Sequence, residues 1–273
     1  MKSNFHTHTT WCDGKNTPDE MVSAATAKGF DVLGFSSHMA FPVDDGCAMT
    51  AERGPAYVAD VRAAARSAAG RLRVLCGGEA DYIPGATDPD RSRYAHLALD
   101  YLIGSIHYVV AADGARVAVD DTPARLRDGI DGHFGGSSEA FVRAYFRQQR
   151  EMVRSFDFDI VGHLDLVRKF NAKHPYFDES SDWYRRELEA TAAAVAASGK
   201  LVEVNTGGIA RGWLDDAYPS PLFRALLRER GVRFVLSSDA HDVTALDAAF
   251  DRYADAEAFV ADPFTVPSTS ARS

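Results

Sequence analysis

With 46% hydrophobic and 25% charged residues in a chain of 273, the composition is globular, which excludes a largely disordered chain and suits a single α/β barrel of about 250 residues. The formal charge is −9 and no run of Lys or Arg forms a cluster, which excludes extended nucleic acid as the expected partner. Cys12, Cys47 and Cys76 show no paired spacing, and no apolar stretch reaches signal-peptide or membrane-span length, so a cytoplasmic protein that neither enters nor binds a membrane is expected.

Strand-like runs fall at 3–6, 32–36, 73–78, 101–106, 159–162, 201–205 and 233–237. Helical patterns lie between several of them, at 17–28 with Pro18 in the first turn, 55–69, 183–198 and 221–229. Gly29, Gly70, Gly199 and Gly231 fall where these helices should stop. Strand and helix in regular alternation predict a parallel sheet, closed as a seven-stranded barrel or open and doubly wound. Residues 108–157 break the rhythm with a hairpin-like Ala112-Asp113-Gly114, a Gly-rich 132–136 and a helix over 139–154, and read as an elaborated crossover overhanging one end. One domain is expected over 1–262, with room for short helices over 245–261 and a flexible tail over 263–273.

Each strand-like run ends on or just before a metal-type ligand: His6-x-His8, His38, Glu79, His107, His163, Glu203 to Asn205, and Asp239-x-His241. Residues two apart on a strand share a face, so His6 and His8 can grip one ion. Strand ends that all carry such groups favour the barrel, whose C-terminal mouth gathers every strand end, over an open sheet. Glu79, directly after a buried run, is costly as an isolated carboxylate and can bridge two ions. Asp13 adds a carboxylate after the first strand, although Asp13-Gly14 is also an ordinary turn. Glu203 and Asn205 alternate with Val202 and Val204 and face inward if the valines face the helices, as ligands, as supports of a ligand, or as substrate contacts. Arg168, Lys169 and Arg211 follow these strand ends on loops, where phosphate recognition needs cations; Arg211 and Arg168 are preferred. His133 is left open as a residue that could reach in from the crossover.

Taken in order, His6-x-His8, Ser36-Ser37-His38, Gly78-Glu79, Ser105-Ile106-His107, Gly162-His163-Leu164-Asp165 and Ser238-Asp239-Ala240-His241 resemble the polymerase-and-histidinol-phosphatase superfamily, from residue 2 to about 242. The opening 6–18 and the segment 162–170 are similar to its histidinol-phosphatase branch. The resemblance implies a distorted (β/α)₇ barrel with three divalent ions (Zn, Fe or Mn) at the C-terminal strand ends. It implies His6, His8, Glu79 and Asp239 on one ion, Glu79 with His107 and His163 on a second, and His38 with His241 on a third. Where many relatives carry a further His, this chain has Cys12-Asp13, so the resemblance implies either that Asp13 substitutes as ligand or that the third site is weaker.

The implied activity is hydrolysis of a phosphomonoester, L-histidinol phosphate, by attack of a metal-activated water. Glu79, Asp239 and His241 carry the catalytic roles, and Arg211, Arg168 and Asn205 contact substrate. The alternative is another small phosphorylated metabolite or a nucleotide. Phosphoenzyme chemistry has one near match, Asp157-Phe158-Asp159, which lacks the Thr and begins a strand instead of ending one.

Overall fold

The computed structural model describes residues 1–41, 46–253 and 259–264. After a first strand β1 (Ser3–Asn4), Thr17 Oγ1 accepts from the Glu20 N–H while the Glu20 carboxylate accepts from the Thr17 N–H, a capping box that starts α1 (Pro18–Ala27). There follow β2 (Val32–Phe35), α2 (Gly54–Ser67), β3 (Arg73–Asp81) and β4 (Tyr101–Ser105). The crossover holds the hairpin β5 (Tyr108–Val110) and β6 (Arg116–Ala118), then α3 (Pro123–His133) and α4 (Ser138–Ser155). The chain closes with β7 (Ile160–Val161), α5 (Asp182–Ser198), β8 (Leu201–Asn205), the single turn α6 (Gly207–Ala210), α7 (Pro221–Glu229) and β9 (Phe234–Ser237).

Seven strands pair in parallel in the order β1-β2-β3-β4-β7-β8-β9. His8 N donates to Ala240 O at 2.8 Å and Ala240 N to His6 O at 3.2 Å, which brings the last strand round to the first. The result is the distorted (β/α)₇ barrel expected from the alternation. Within β8, Leu201 joins the apolar cluster inside the barrel, whereas Val202 and Val204 join the shell between strands and helices. That phase turns Glu203 and Asn205 inward, as their spacing predicted.

The lower interior is apolar: Phe5, Val32, Leu75, Tyr101, Ile103, Ile160, Leu201 and Val235 fill it. The Tyr101 ring crosses the barrel over Gly77, where an added Cβ would lie 2.5 Å from its ring carbons, and its hydroxyl reaches the carbonyls of Phe5 (2.6 Å) and Phe35 (2.9 Å). The Phe264 ring stacks on Tyr101 with centroids 5.1 Å apart, and Arg73 binds both Asp262 and the Phe264 carbonyl. Composition had assigned Pro263 and Phe264 to a tail; aromatic stacking instead docks them on the barrel floor, while 265–273 lie outside the described residues. Of the short helices expected over 245–261, one 3₁₀ turn forms at Phe250–Arg252 and 254–258 lie outside the described residues.

The hairpin turns through Asp113 and Gly114 as predicted, but α3 was not foreseen, because its Leu126 and Ile130 are too few apolar positions to mark a period. Gln148 on α4 ties the hairpin to the barrel: its amide donates to the carbonyls of Tyr82 (3.0 Å) and Tyr108 (2.8 Å) and accepts from Val110 N (3.3 Å). Tyr101→Phe is expected to lower unfolding free energy by about 1–2 kcal/mol, since it strips a donor from two buried carbonyls. Urea denaturation of wild type and variant measures this, and an unchanged midpoint would contradict the role given to the hydroxyl.

Candidate metal centre

β3 runs three residues beyond the apolar stretch read from sequence, so Glu79 lies within the strand, paired with Ile103 on β4 and bridged to His38. Its carboxylate is 1% exposed and five imidazoles face it. Oε1 meets His163 Nε2 at 3.0 Å and His107 Nε2 at 3.8 Å. Oε2 lies 3.0 Å from His6 Nε2, 3.2 Å from His38 Nδ1 and 3.5 Å from His8 Nε2.

The β9 end supplies Asp239, whose backbone takes a left-handed φ of 51°, a conformation Asp tolerates better than most residues. Asp239 Oδ1 reaches His8 Nε2 (3.2 Å) and His6 Nε2 (3.7 Å). His241 stacks on His8 with centroids 4.1 Å apart and meets Asp13 Oδ2 through Nε2 at 3.1 Å. All eight expected strand-end ligands and Asp13 therefore converge at one mouth.

Behind the mouth stand two carboxylates that orient imidazoles. Glu203 is fully buried; it accepts from His6 Nδ1 at 2.9 Å, from His163 N at 2.6 Å and from the Asn205 amide at 2.8 Å. On a His6 that holds an ion the proton would therefore sit on Nδ1, leaving Nε2 turned toward Glu79 and Asp239 as the donor. Asp81 does the same for His107, with Oδ1 2.8 Å from Nδ1. Sequence reading passed over Asp81; the signal was present in its place two residues after Glu79, on the same face of an extended strand.

The electrostatics follow from this crowding. Burial lowers the His6 pKa, but Glu203, Glu79 and Asp239 overcome it and hold the ring well above the usual histidine range. His107, against burial, is raised to about 10 by Asp81. Burial raises Glu79 and Asp239, yet the facing histidines, and Arg211 for Asp239, hold both carboxyls well below their usual range.

Two substrate-contact expectations are corrected. Arg168 does not line the mouth: Nε is bound to Glu179 at 2.6 Å and Nη1 lies 3.5 Å from the buried Asp165. Its neighbour Lys169 lines the cavity instead, because the 3₁₀ turn at Leu166–Arg168 points the two cations in different directions. Asn205 is fully buried, gives its amide to Glu203 and accepts from Gly207 N at 2.8 Å, so it braces Glu203 and lies off the cavity. Arg211 does line the cavity, held by Asp239 Oδ2 at 2.6 Å. His133 also reaches the cavity wall, paired with Asp113 at 2.9 Å. Asp159 sits at the far end of its strand, bound to Arg91 and to Leu102 N.

The cluster fits divalent ions by its own geometry. His6 Nε2, His8 Nε2, His38 Nδ1 and Glu79 Oε2 are buried, point at one another and make no hydrogen bond, although burial without a partner is costly for such atoms. Donor atoms fall within 4.8 Å of one another in four groups among the described residues: His8, Asp13, His38 and His241; His6, Glu79 and His163; His6, His8 and Asp239; and His38, Glu79 and His107. Asp13 thus stands with His38 and His241, whereas His107 and His163, expected on one ion, fall into different groups. The adjoining cavity, about 900 Å³, is walled by these residues and by the hairpin and α3.

Comparison with known proteins follows the same lines. A family model described as the PHP domain matches residues 4–207. A Deinococcus radiodurans protein named "Probable histidinol-phosphatase" is 34% identical over 239 residues, which is 86% of this chain and 85% of that protein. The crystal structure of the hisK protein of Listeria monocytogenes superposes with a TM-score of 0.82 at 22% identity, covering 92% of this chain and all of that one. Histidinol phosphate phosphatase from Lactococcus lactis, crystallised with Zn, L-histidinol and phosphate, gives a TM-score of 0.62 at 20% identity, covering 92% of this chain and 91% of that one.

Glu203→Gln and Asp81→Asn are each expected to weaken metal affinity about 10- to 100-fold while leaving the fold intact, the usual effect of losing a carboxylate behind a ligating His. Competition with a fluorescent zinc chelator reads the affinity and circular dichroism the fold. Unchanged affinity in both variants would remove the orienting role.

Proposed function

The chain belongs to the PHP domain family, and on that footing we propose that it is a divalent-metal-dependent phosphoric monoester hydrolase acting on L-histidinol phosphate, the step that releases L-histidinol in histidine biosynthesis. The observation that carries this is Glu79, a buried carboxylate faced by five imidazoles at the mouth of a barrel cavity that Arg211 and Lys169 also line. The 34% identity along most of both chains supports the substrate, and the Lactococcus structure supports the fold.

In this reading His6, His8, Glu79 and Asp239 would hold one ion, Glu79 with His107 and His163, both of which face its Oε1, a second, and His38, His241 and Asp13 a third. Such mixed imidazole and carboxylate donors suit Zn, Fe and Mn. Bound there, divalent ions supply Lewis-acid neutralisation of phosphoryl oxygens and a water acidic enough to attack phosphorus at neutral pH. The chain's own contribution is positional. Arg211, locked by Asp239, presents a fixed cation where phosphoryl charge develops, and Lys169 adds a second. His241 could give a proton to the leaving alkoxide only from a ring nitrogen that holds no ion. No helix among the described residues is long and apolar enough to cross a membrane. Cys12, Cys47 and Cys76, odd in number and widely spaced along the sequence, support the cytoplasmic location we propose.

Phosphate release from L-histidinol phosphate, from a nucleoside monophosphate and from a short single strand, assayed after chelation and re-addition of Mn²⁺ or Zn²⁺, tests the assignment. The expected result is metal-dependent hydrolysis with a kcat/KM at least about 100-fold higher for the first, and no release from it would withdraw the assignment. Arg211→Ala is expected to cut kcat/KM about 100-fold, the magnitude of losing one preorganised charge donor. Arg168→Ala, by contrast, should lower the melting temperature and leave KM within about twofold, because it removes the partner of a buried carboxylate and no substrate contact. Steady-state kinetics and thermal melts separate the two, and a large KM change in Arg168→Ala would reverse their roles.

A further inference from the structure

Among the described residues the cavity wall carries two carboxylates that no group of metal donors uses, Asp120 and Asp121. β6 ends where Val119 N donates to His107 O at 2.8 Å, so the chain passes directly beside an ion ligand before Asp120 turns into the cavity. Lys169 Nζ meets Asp120 through the backbone carbonyl (2.8 Å) and through Oδ2 (3.0 Å). Among the described residues nothing else bonds or pairs with this carboxylate, which leaves Oδ1 open, and the side chain is 28% exposed. The adjacent Asp121 differs, since its carboxylate is taken by Arg125 at 2.6 Å. Lys169 Nζ, 3.0 Å from Oδ2, is a cation that favours the ionised form of Asp120.

An ionised carboxylate in a pocket built for a phosphate is a penalty for any ester whose alcohol is uncharged. It becomes an attraction when the alcohol brings its own positive charge, because repulsion of wrong ligands and attraction of the right one then come from a single group. Glu79, Asp239 and Asp13 carry no such discrimination, since bound ions would cover them; Asp120 lies outside every donor group. We propose that Asp120 is a specificity-determining residue that pairs with a cationic ammonium on the leaving alcohol and so selects aminoalkyl phosphates over neutral ones. This rests on the phosphomonoesterase reading above and goes beyond it in naming the residue that reads the alcohol. Lys169, fixed by Asp120, serves the phosphate end.

The test compares L-histidinol phosphate with its deamino analogue, 3-(imidazol-4-yl)propyl phosphate, in the metal-loaded full chain. The wild type is expected to favour the amine at least about tenfold in kcat/KM. Asp120→Asn should raise KM for L-histidinol phosphate on the order of 10- to 100-fold, the range for a lost charge-assisted hydrogen bond, and leave KM for the analogue unchanged or lower. Asp120→Glu, which keeps the charge, should retain the preference. Equal losses on both esters would mean that Asp120 acts only through Lys169 and would overturn the proposal. So would a wild type indifferent to the amine, a result that needs no variant to fold. If neither ester is hydrolysed, the substrate assignment fails by itself, and O-phosphoethanolamine against ethyl phosphate still reads the charge preference: preference for the former upholds the role of Asp120 and parity removes it.

Discussion

A carboxylate that is 1% exposed among five imidazoles is the constraint on which this molecule turns. Taking Glu79 out of water costs several kcal/mol unless opposite charge surrounds it closely. Four strand ends bring that charge in five imidazoles, from His6 and His8 after β1, His38 after β2, His107 after β4 and His163 after β7. The ring nitrogens around Glu79 Oε2 are buried and unbonded, so protons alone do not satisfy the arrangement, and divalent ions between the donors would.

Rigidity beneath this cluster makes its geometry possible. Glu203 and Asp81 fix which nitrogen of His6 and His107 faces the centre, and Asn205 in turn fixes Glu203. Lower still, the barrel is dry and aromatic, with Tyr101 spanning it, Phe264 closing it from below and Arg73 holding Asp262. Polar ligands at the C-terminal mouth and apolar packing at the other end is the division that parallel barrels generally show. In the proposed function phosphate and alcohol would be read by different elements: Arg211 and Lys169 come from loops after barrel strands, Asp120 from the crossover that Gln148 straps to the mouth.

Much of this was legible in the chain. Glycine stops, Pro18 and Pro221 in first turns, and seven apolar runs separated by helical patterns were enough for the barrel, and ligand types at strand ends were enough for the mouth. The failures share one cause: polar side chains carry no mark of which way they point. Arg168 and Lys169 are adjacent cations on one short turn, and only packing decides that Arg168 answers Asp165 and Glu179 while Lys169 meets the cavity. Asn205 and Asp81 are inward-facing and strand-borne like the ligands, yet they serve behind them. Helix α3 and the docking of Phe264 went unseen because both depend on contacts with distant surfaces and not on local periodicity.

The central claim is that the donors gathered around Glu79 would hold divalent ions. Anomalous diffraction from crystals soaked in Zn²⁺ or Mn²⁺ tests it most directly. The account predicts strong peaks on both sides of the Glu79 carboxylate, about 4 Å apart as in other two-metal sites, with a further, weaker peak beside Asp13, His38 and His241. Peaks confined to surface carboxylates, or a single ion that Glu79 does not touch, would contradict it.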